Sequence, residues 1–321
     1  MTASAILKIE NLKKYYHVTA GLVARKVGDI RAVDDISLQM NQGEVLGLVG
    51  ESGCGKSTLG KAIIRLEEPT SGEIYFDGTD VIKMSKHELR KLRGKIQIVF
   101  QDPDSSLDPR MTVGDSIDEA LIVHDFKNPD TRNAKVAELL EKVGLEAGFA
   151  HRYPHEFSGG QRQRIGIARA LAMDPKLVIA DEPVSALDVS VQAQILNLMM
   201  DIKEKDGLAY LFISHDLSVV RYISNRVAVM YLGKIVELAE KNEFFNNPLH
   251  PYTEALLSAI ATLRPGGKEK ILLKGDVPSP LNPPSGCRFH TRCHRVMPVC
   301  SQKEPEFKEI GPHHYTACHL Y

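Results

Sequence analysis

The 321 residues carry 40 Lys and Arg against 41 Asp and Glu, a formal net charge of -1, with 43% hydrophobic and 25% charged residues. That balance suits a globular chain of roughly two domains; it excludes a disordered, collagenous or mucin-like protein and supplies no general basic field to hold nucleic acid or anionic lipid. The longest apolar stretches fall short of the ~18 residues that a membrane span needs, and MTASAILKIENLKKYY at the N-terminus lacks the apolar core of a secretory signal, so the expected setting is the cytoplasm.

Apolar runs alternate with amphipathic stretches over most of the chain, as they do in wound α/β domains. In chain order, the pattern predicts a strand at 45–49, a helix at 56–66 and a strand at 96–100. Between Gln101 and Phe157 a turn-rich DPDSSLDP precedes helical segments near 113–123 and 131–143, which reads as a helical insertion between two strands of the core. A helix at 159–173, a strand at 177–180, a helix at 189–203 and a strand at 210–213 follow. In the last of these helices Val191, Ile195, Leu198, Met199 and Ile202 recur at helical spacing. The basic run KMSKHELRKLRGK (83–95) reads as a solvated face. After Leu263 the composition changes: RPGG opens a tail that holds eight of the seventeen prolines and five of the twelve histidines. Prolines at that density preclude long helices. No internal repeat is present.

The segment Gly50-Glu51-Ser52-Gly53-Cys54-Gly55-Lys56-Ser57 fits G-x-x-x-x-G-K-[ST], directly after the VLGLV strand and running into the expected helix 56–66, where Thr58 follows it. Glycines let such a loop turn its backbone N–H groups inward onto phosphate oxygens, and the following helix directs its N-terminal dipole at the same anion. Lys56 is expected to reach the β- and γ-phosphates of a nucleotide and Ser57 to ligate Mg²⁺. Cys54 reads as a small loop residue. LVIADE ends an apolar strand on two carboxylates; beside a phosphate loop they suggest a division of labour, Asp181 on Mg²⁺ through water and Glu182 on the attacking water. A P-loop NTPase (RecA-like) α/β core follows from these pieces.

Ser158-Gly159-Gly160-Gln161 offers a second helix start with free N–H groups and a hydroxyl. Together with the phosphate loop and Asp181-Glu182 it resembles the signature motif of the ABC-transporter ATPase family. Gln101 in VFQDP resembles that family's Q-loop glutamine, with a share in Mg²⁺ binding. The stretch from Ser185 to Asp188 resembles its D-loop, and His215 in FISHD its switch histidine at the γ-phosphate. Tyr16 matches the aromatic that stacks on adenine, with Tyr15 as the competitor. The resemblance covers essentially the whole chain. In the tail, HPYTEALLSAI, GDVPSPLNPPSGCRFHTRC and ACHL are similar to the ATPase subunits of dipeptide/oligopeptide importers; relatives with similar tails serve nickel or glutathione uptake.

The resemblance implies an ABC ATPase domain over 1–262, with its helical insertion at about 101–157, and a C-terminal oligopeptide-transporter-type region over 263–321. It further implies ATP and Mg²⁺ as ligands and head-to-tail pairing with a second, homologous ATPase subunit in a heterodimer, each ATP lying between one phosphate loop and the partner's signature. Two transmembrane permeases, and through them an extracytoplasmic peptide-binding protein, complete the machine. Its place is then peripheral, on the cytoplasmic face of the membrane. Import of another small solute is the alternative within the class; a non-transport ABC ATPase, on ribosomes or DNA, is the one outside it.

Cys287-x5-Cys293-x6-Cys300-x17-Cys318 places four thiols in the tail, where a reducing compartment disfavours disulfides. No pair has the C-x2–4-C spacing usual for zinc. The wide spacing suits a [4Fe–4S] cluster, which some peptide-importer ATPases carry; mixed Cys/His zinc sites using histidines 290, 294, 313, 314 or 319, and unliganded thiols, stay open.

Overall fold

Five consecutive apolar residues, Val45–Val49, form a strand in which every residue is buried, as in sheets covered on both faces. The computed structural model describes residues 5–20, 25–102, 106–259 and 271–321, and the chain divides into two units. One comprises Met1–Ile6, Asn41–Glu44 and Lys83–Ile213; the other comprises Leu7–Met40, Val45–Ile82 and Ser214–Tyr321. The expected boundary at 262/263, the RPGG of 264–267 and residues 103–105 of the DPDSSLDP turn lie outside the described residues.

The first unit is built on three parallel strands, Ile96–Val99, Leu177–Asp181 and Ala209–Ile213, with Ile96 opposite Leu177 and Leu177 opposite Ala209. Parallel neighbours need long crossovers. Helices Val113–Val123, Pro129–Lys142 and Gly159–Leu171 lie in the first crossover, and Val189–Asp206 in the second. The insertion's helices therefore occur where expected. The second starts two residues before its expected position because Asn128 accepts the N–H groups of Asp130 and Thr131 and Pro129 occupies the first helical position. The basic run is a helix, Lys86–Lys95, closed by a Ser85/Glu88 capping box. It buries Leu89 and Leu92 and leaves Lys86, Arg90, Lys91 and Lys95 exposed.

In the second unit Val45–Val49 runs parallel to Arg226–Tyr231, with Val49 opposite Val229. Arg226–Tyr231 returns antiparallel as Lys234–Glu240 through Leu232 and Gly233, whose φ angles are 42° and 83°, the left-handed pair that a two-residue hairpin demands. The tail has no long helix among its described residues, and it adds two strands the sequence did not reveal. His314–Thr316 pairs with Lys234–Glu240, and Lys308–Gly311 pairs with His314–Thr316. A separate four-stranded sheet orders Arg25–Asn41, Ala5–Ala20, Ser71–Phe76 and Thr79–Asp80.

Buried polar groups tie the tail into this unit. Glu237, fully buried, accepts the N–H groups of Leu249 (2.8 Å) and His250 (2.9 Å) and bonds His314 Nε2 at 2.8 Å. His250 is buried as well, and burial pushes its imidazole down to about 4. Near neutral pH the ring is uncharged, and its Nδ1 accepts the Tyr252 N–H at 3.1 Å, capping the helix Pro251–Ser258.

Candidate nucleotide site

The loop that leaves Val45–Val49 turns at three glycines with left-handed or related backbone: Gly50 (φ 150°), Gly53 (78°) and Gly55 (109°). At two of them a side chain has no room, since a Cβ would lie 2.2 Å from the Met230 carbonyl oxygen at Gly50 and 1.9 Å from that of Ala32 at Gly55. Gly55 is also the cap of the helix Lys56–Ile63 and offers no side-chain bond to it. The first N–H groups of that helix therefore face the loop without a side-chain acceptor at the cap. Lys56 is 5% exposed and curls back over the loop, its Nζ donating to the carbonyls of Gly50 (2.8 Å) and Glu51 (3.1 Å). Ser52 and Gly53 are exposed at the rim, and Ser57 and Thr58 are half-buried on the first helical turn. A buried cation, a glycine cradle and a helix start together fit a phosphate group. Burial pushes the Cys54 thiol up against the opposing pull of Lys56, which suits an inert loop residue.

The same unit holds the two tyrosines and His215. The Tyr15 hydroxyl donates to Asp34; burial, then that bond, pushes the hydroxyl up to about 12. Burial opposes the charge of Asp34, but the Tyr15 bond and the Arg288 guanidinium outweigh it and hold its carboxyl below the usual range. Tyr15 is thereby tied to the strand Arg25–Asn41, while Tyr16 carries the Lys14 ammonium 4.7 Å from its ring centroid. His215 is exposed, just after Ser214 and before Asp216, whose carboxylate caps the helix Leu217–Ile223.

In the first unit Asp181 ends its strand at 6% exposure. Glu182 follows with φ at 48°, a left-handed backbone that is costly for a residue with a side chain and is commonest at functional turns. Its N–H bonds the Ile213 carbonyl at 3.0 Å, and its carbonyl accepts the Ser185 hydroxyl at 3.1 Å. Gln101, 81 positions earlier, donates from Nε2 to Glu182 Oε2 at 3.0 Å. Two residues singled out separately in the sequence therefore meet. Ser158 caps Gly159–Leu171, its hydroxyl accepting the Gln161 N–H (3.4 Å) while Gln161 Oε1 accepts the Ser158 N–H (3.0 Å). A Cβ on Gly160 would lie 2.5 Å from Val191 Cγ1, so glycine here allows close packing on Val189–Asp206. Asp188 caps that helix without a side-chain bond and is exposed.

The five cysteines are free thiols. Burial, with the neighbouring thiols of Cys300, Cys318 and Cys293 adding to it, pushes Cys287 up to about 11, so the four tail thiols share one neighbourhood. Among the described residues, however, no group of three or more His, Cys, Asp or Glu side chains is gathered so as to hold a metal ion. The expected four-thiol ligand set is thus not preformed. Four of the five histidine alternatives have a ring nitrogen committed elsewhere: His290 to the Cys287 carbonyl, His294 to Glu254, His314 to Glu237 and His319 to the Lys303 carbonyl. His313 is exposed.

A profile for ABC transporters matches residues 33–185, and one for the C-terminal region of oligopeptide/dipeptide transporters matches residues 236–300. The oligopeptide transport ATP-binding protein AppF of Bacillus subtilis is 58% identical over 100% of both chains. The chain belongs to the ABC transporter ATP-binding protein family. The dipeptide transport ATP-binding protein DppF of Escherichia coli is 51% identical, over 95% of this chain and 92% of its own. A dimeric structure of the ATP-binding cassette MJ0796, in a post-hydrolysis state bound to ADP and Pi, is similar at a TM-score of 0.65. It is 32% identical and covers 73% of this chain and 98% of its own. The ABC ATPase P-loop fold expected from the sequence is therefore the fold of the chain. Within this ABC chain, the phosphate loop, Gln101, Ser158–Gln161 and Asp181-Glu182 fall inside the ABC transporter match. Tyr16 and His215 fall outside it, and the C-terminal match takes in Cys287, Cys293 and Cys300 but ends before Cys318.

Sequence reasoning passed over two parts of this neighbourhood. One is the Arg288–Asp34–Tyr15 network. The other is an ion pair between Glu51 of the phosphate loop and Arg292 of the tail. No spacing rule connects residues 241 positions apart.

Proposed function

We propose that this chain is the ATP-hydrolysing subunit that energises a membrane importer of oligopeptides or dipeptides. The observation that carries the reading is 58% identity with AppF across the whole of both chains, the C-terminal region included. ATP supplies the scissile phosphoanhydride, with Mg²⁺ to neutralise phosphate charge; Ser57, Gln101 and Asp181 would hold the ion. The N–H groups of Gly50–Ser57 and the Lys56 ammonium bind phosphate oxygens, and Thr58 continues the first turn. Glu182 orients and deprotonates the attacking water, and His215 contacts the γ-phosphate. Tyr16 stacks on adenine; what supports it over Tyr15 is the bond that ties Tyr15 to Asp34. Ser158, Gly159, Gly160 and Gln161, with Asp188, serve the nucleotide of a second, homologous ATPase subunit across a heterodimer. Closing that dimer moves two permease subunits, reached through residues 101–157. An extracytoplasmic binding protein delivers the peptide to the permeases, and the ATPase sits peripherally at the cytoplasmic face. In this reading residues 1–262 are the ATPase domain and 263–321 the transporter-specific region.

Reconstitution with its permeases and partner ATPase in lipid vesicles tests this. ATP-dependent uptake of labelled di- to oligopeptides is expected. Uptake of nickel or glutathione with none of peptide would overturn the substrate, and failure to co-purify with permeases would overturn the transport role.

For the tail we read the four cysteines as ligands of a [4Fe–4S] cluster, with Zn²⁺ as the alternative. Their shared neighbourhood supports this, although the thiols must close up to form either set. Anaerobically purified protein is expected to contain about four irons per chain and to absorb broadly near 400 nm. Stoichiometric zinc in colourless protein would replace the cluster, and metal-free protein would remove both.

A further inference from the structure

From the tail, Arg292 reaches the phosphate loop. Arg292 presents its guanidinium bidentately to Glu51, Nη1 to Oε2 at 2.6 Å and Nη2 to Oε1 at 3.0 Å. The Arg292 side chain is 7% exposed and that of Glu51 26%. Fork-to-fork pairing of this kind fixes direction as well as charge, and a lysine cannot reproduce it.

The segment that carries Arg292 is itself held in place. The Cys287 N–H bonds the Cys300 carbonyl at 2.8 Å, and the Arg292 N–H bonds the Phe289 carbonyl at 3.0 Å. Phe289 is buried, with its ring centroid 5.2 Å from that of Tyr231 and 5.3 Å from that of Tyr252. The Tyr252 hydroxyl accepts the Glu51 N–H at 2.8 Å. Glu51 is therefore gripped twice by the chain beyond residue 250, once at its backbone and once at its carboxylate.

Glu51 is an awkward residue for its position. It is the second residue of a loop whose glycines and Lys56 gather negative charge, and its own carboxylate repels what the loop attracts. Paired to Arg292, that charge is neutralised.

We infer that Arg292 is a positioning residue for nucleotide binding: by neutralising and holding Glu51 it readies Gly50–Ser57 for a polyphosphate, making the C-terminal region a working part of the nucleotide site. This rests on the phosphate-loop reading above. A brace that only stabilised the fold would leave nucleotide affinity insensitive to the charge on Glu51. The charge account makes that sensitivity its signature.

The test is a binding titration of the full chain with a fluorescent, slowly hydrolysed ATP analogue. It compares wild type, Arg292→Gln, Arg292→Lys and the double variant Glu51→Gln/Arg292→Gln, with thermal melts alongside. Arg292→Gln is expected to weaken binding roughly tenfold at low salt, and the loss should shrink at high salt as the freed carboxylate is screened. Arg292→Lys should lose less, and the double variant should regain most of the affinity. Arg292→Gln binding like wild type would overturn the inference. A double variant as weak as the single one, or a loss indifferent to salt, would show a packing effect and overturn it equally. If Arg292→Gln does not fold, Glu51→Gln decides: with no carboxylate left to neutralise it should bind the analogue as tightly as wild type or better, and a clear loss of affinity rejects the inference. Wild type that fails to bind the analogue would sink the nucleotide reading itself, and this inference with it.

Discussion

Replacing Glu182 by Gln is expected to lower steady-state ATP hydrolysis by roughly 10²–10⁴, the usual worth of a general base, while nucleotide is still bound. The argument starts from the turn. Glu182 holds a left-handed backbone at φ 48°, stabilised by its N–H on Ile213 and by Ser185 on its carbonyl. Its carboxylate is thereby presented to Gln101, whose Nε2 donates to Oε2 at 3.0 Å. Glutamine keeps the shape and still offers one oxygen to Gln101, so the turn should survive. What it loses is the ability to take a proton from water. Chemistry should then fail after binding, with kcat falling and affinity for ATP retained. Mixed with its partner ATPase subunit, the variant should accumulate in the proposed ATP-closed head-to-tail dimer, visible as a larger species by size-exclusion chromatography only when ATP is present. Turnover near the wild-type rate would remove Glu182 from the catalytic role. Turnover lost together with ATP binding would mean that the residue holds the site rather than performs the chemistry.

Much of the nucleotide machinery is legible because it is local. A glycine loop between a strand and a helix needs only neighbouring residues to be recognised, and the 45–49 strand and the start of the following helix are where the pattern placed them. The meeting of Gln101 and Glu182 was foreseeable in role but not in geometry, since parallel strands with long crossovers join them. The long strands Ala5–Ala20 and Arg25–Asn41 escaped notice. Their charged and aromatic residues follow neither period for long, and pairing with Ser71–Phe76 and with each other decides their conformation. The tail was legible in composition only. Prolines foretold the lack of long helix among the tail's described residues, but nothing in KEIGPHHYT foretells a hairpin whose partner is Lys234–Glu240. Four cysteines suggested a ligand set, yet spacing carries no information on whether the thiols converge. Arg292 is not marked out in the sequence, because its meaning depends on a carboxylate 241 positions away.

Gly55→Ala is expected to abolish nucleotide binding at concentrations that saturate wild type, although it adds one methyl group. Two costs coincide at this residue. Its φ of 109° lies where a side chain is strained. A Cβ there would also stand 1.9 Å from the Ala32 carbonyl oxygen and 2.7 Å from the Met230 methyl. The methionine tip can swing aside, but the carbonyl belongs to the backbone of the strand Arg25–Asn41 and cannot. The loop must therefore move, and with it go the cap of Lys56–Ile63 and the carbonyls that Lys56 grips at 2.8 and 3.1 Å. Gly53→Ala provides the comparison. Its φ of 78° brings similar backbone strain, yet no atom lies within 4 Å of the added Cβ. It should weaken binding by a smaller factor, of order tenfold, if strain alone is worth ~1 kcal/mol or somewhat more. Analogue titrations of both variants, with thermal melts to show that each folds, separate strain from overlap. Equal losses would mean that loop strain alone controls binding. Gly55→Ala binding as tightly as Gly53→Ala or better would show that the close approach to Ala32 is not what shapes the cradle.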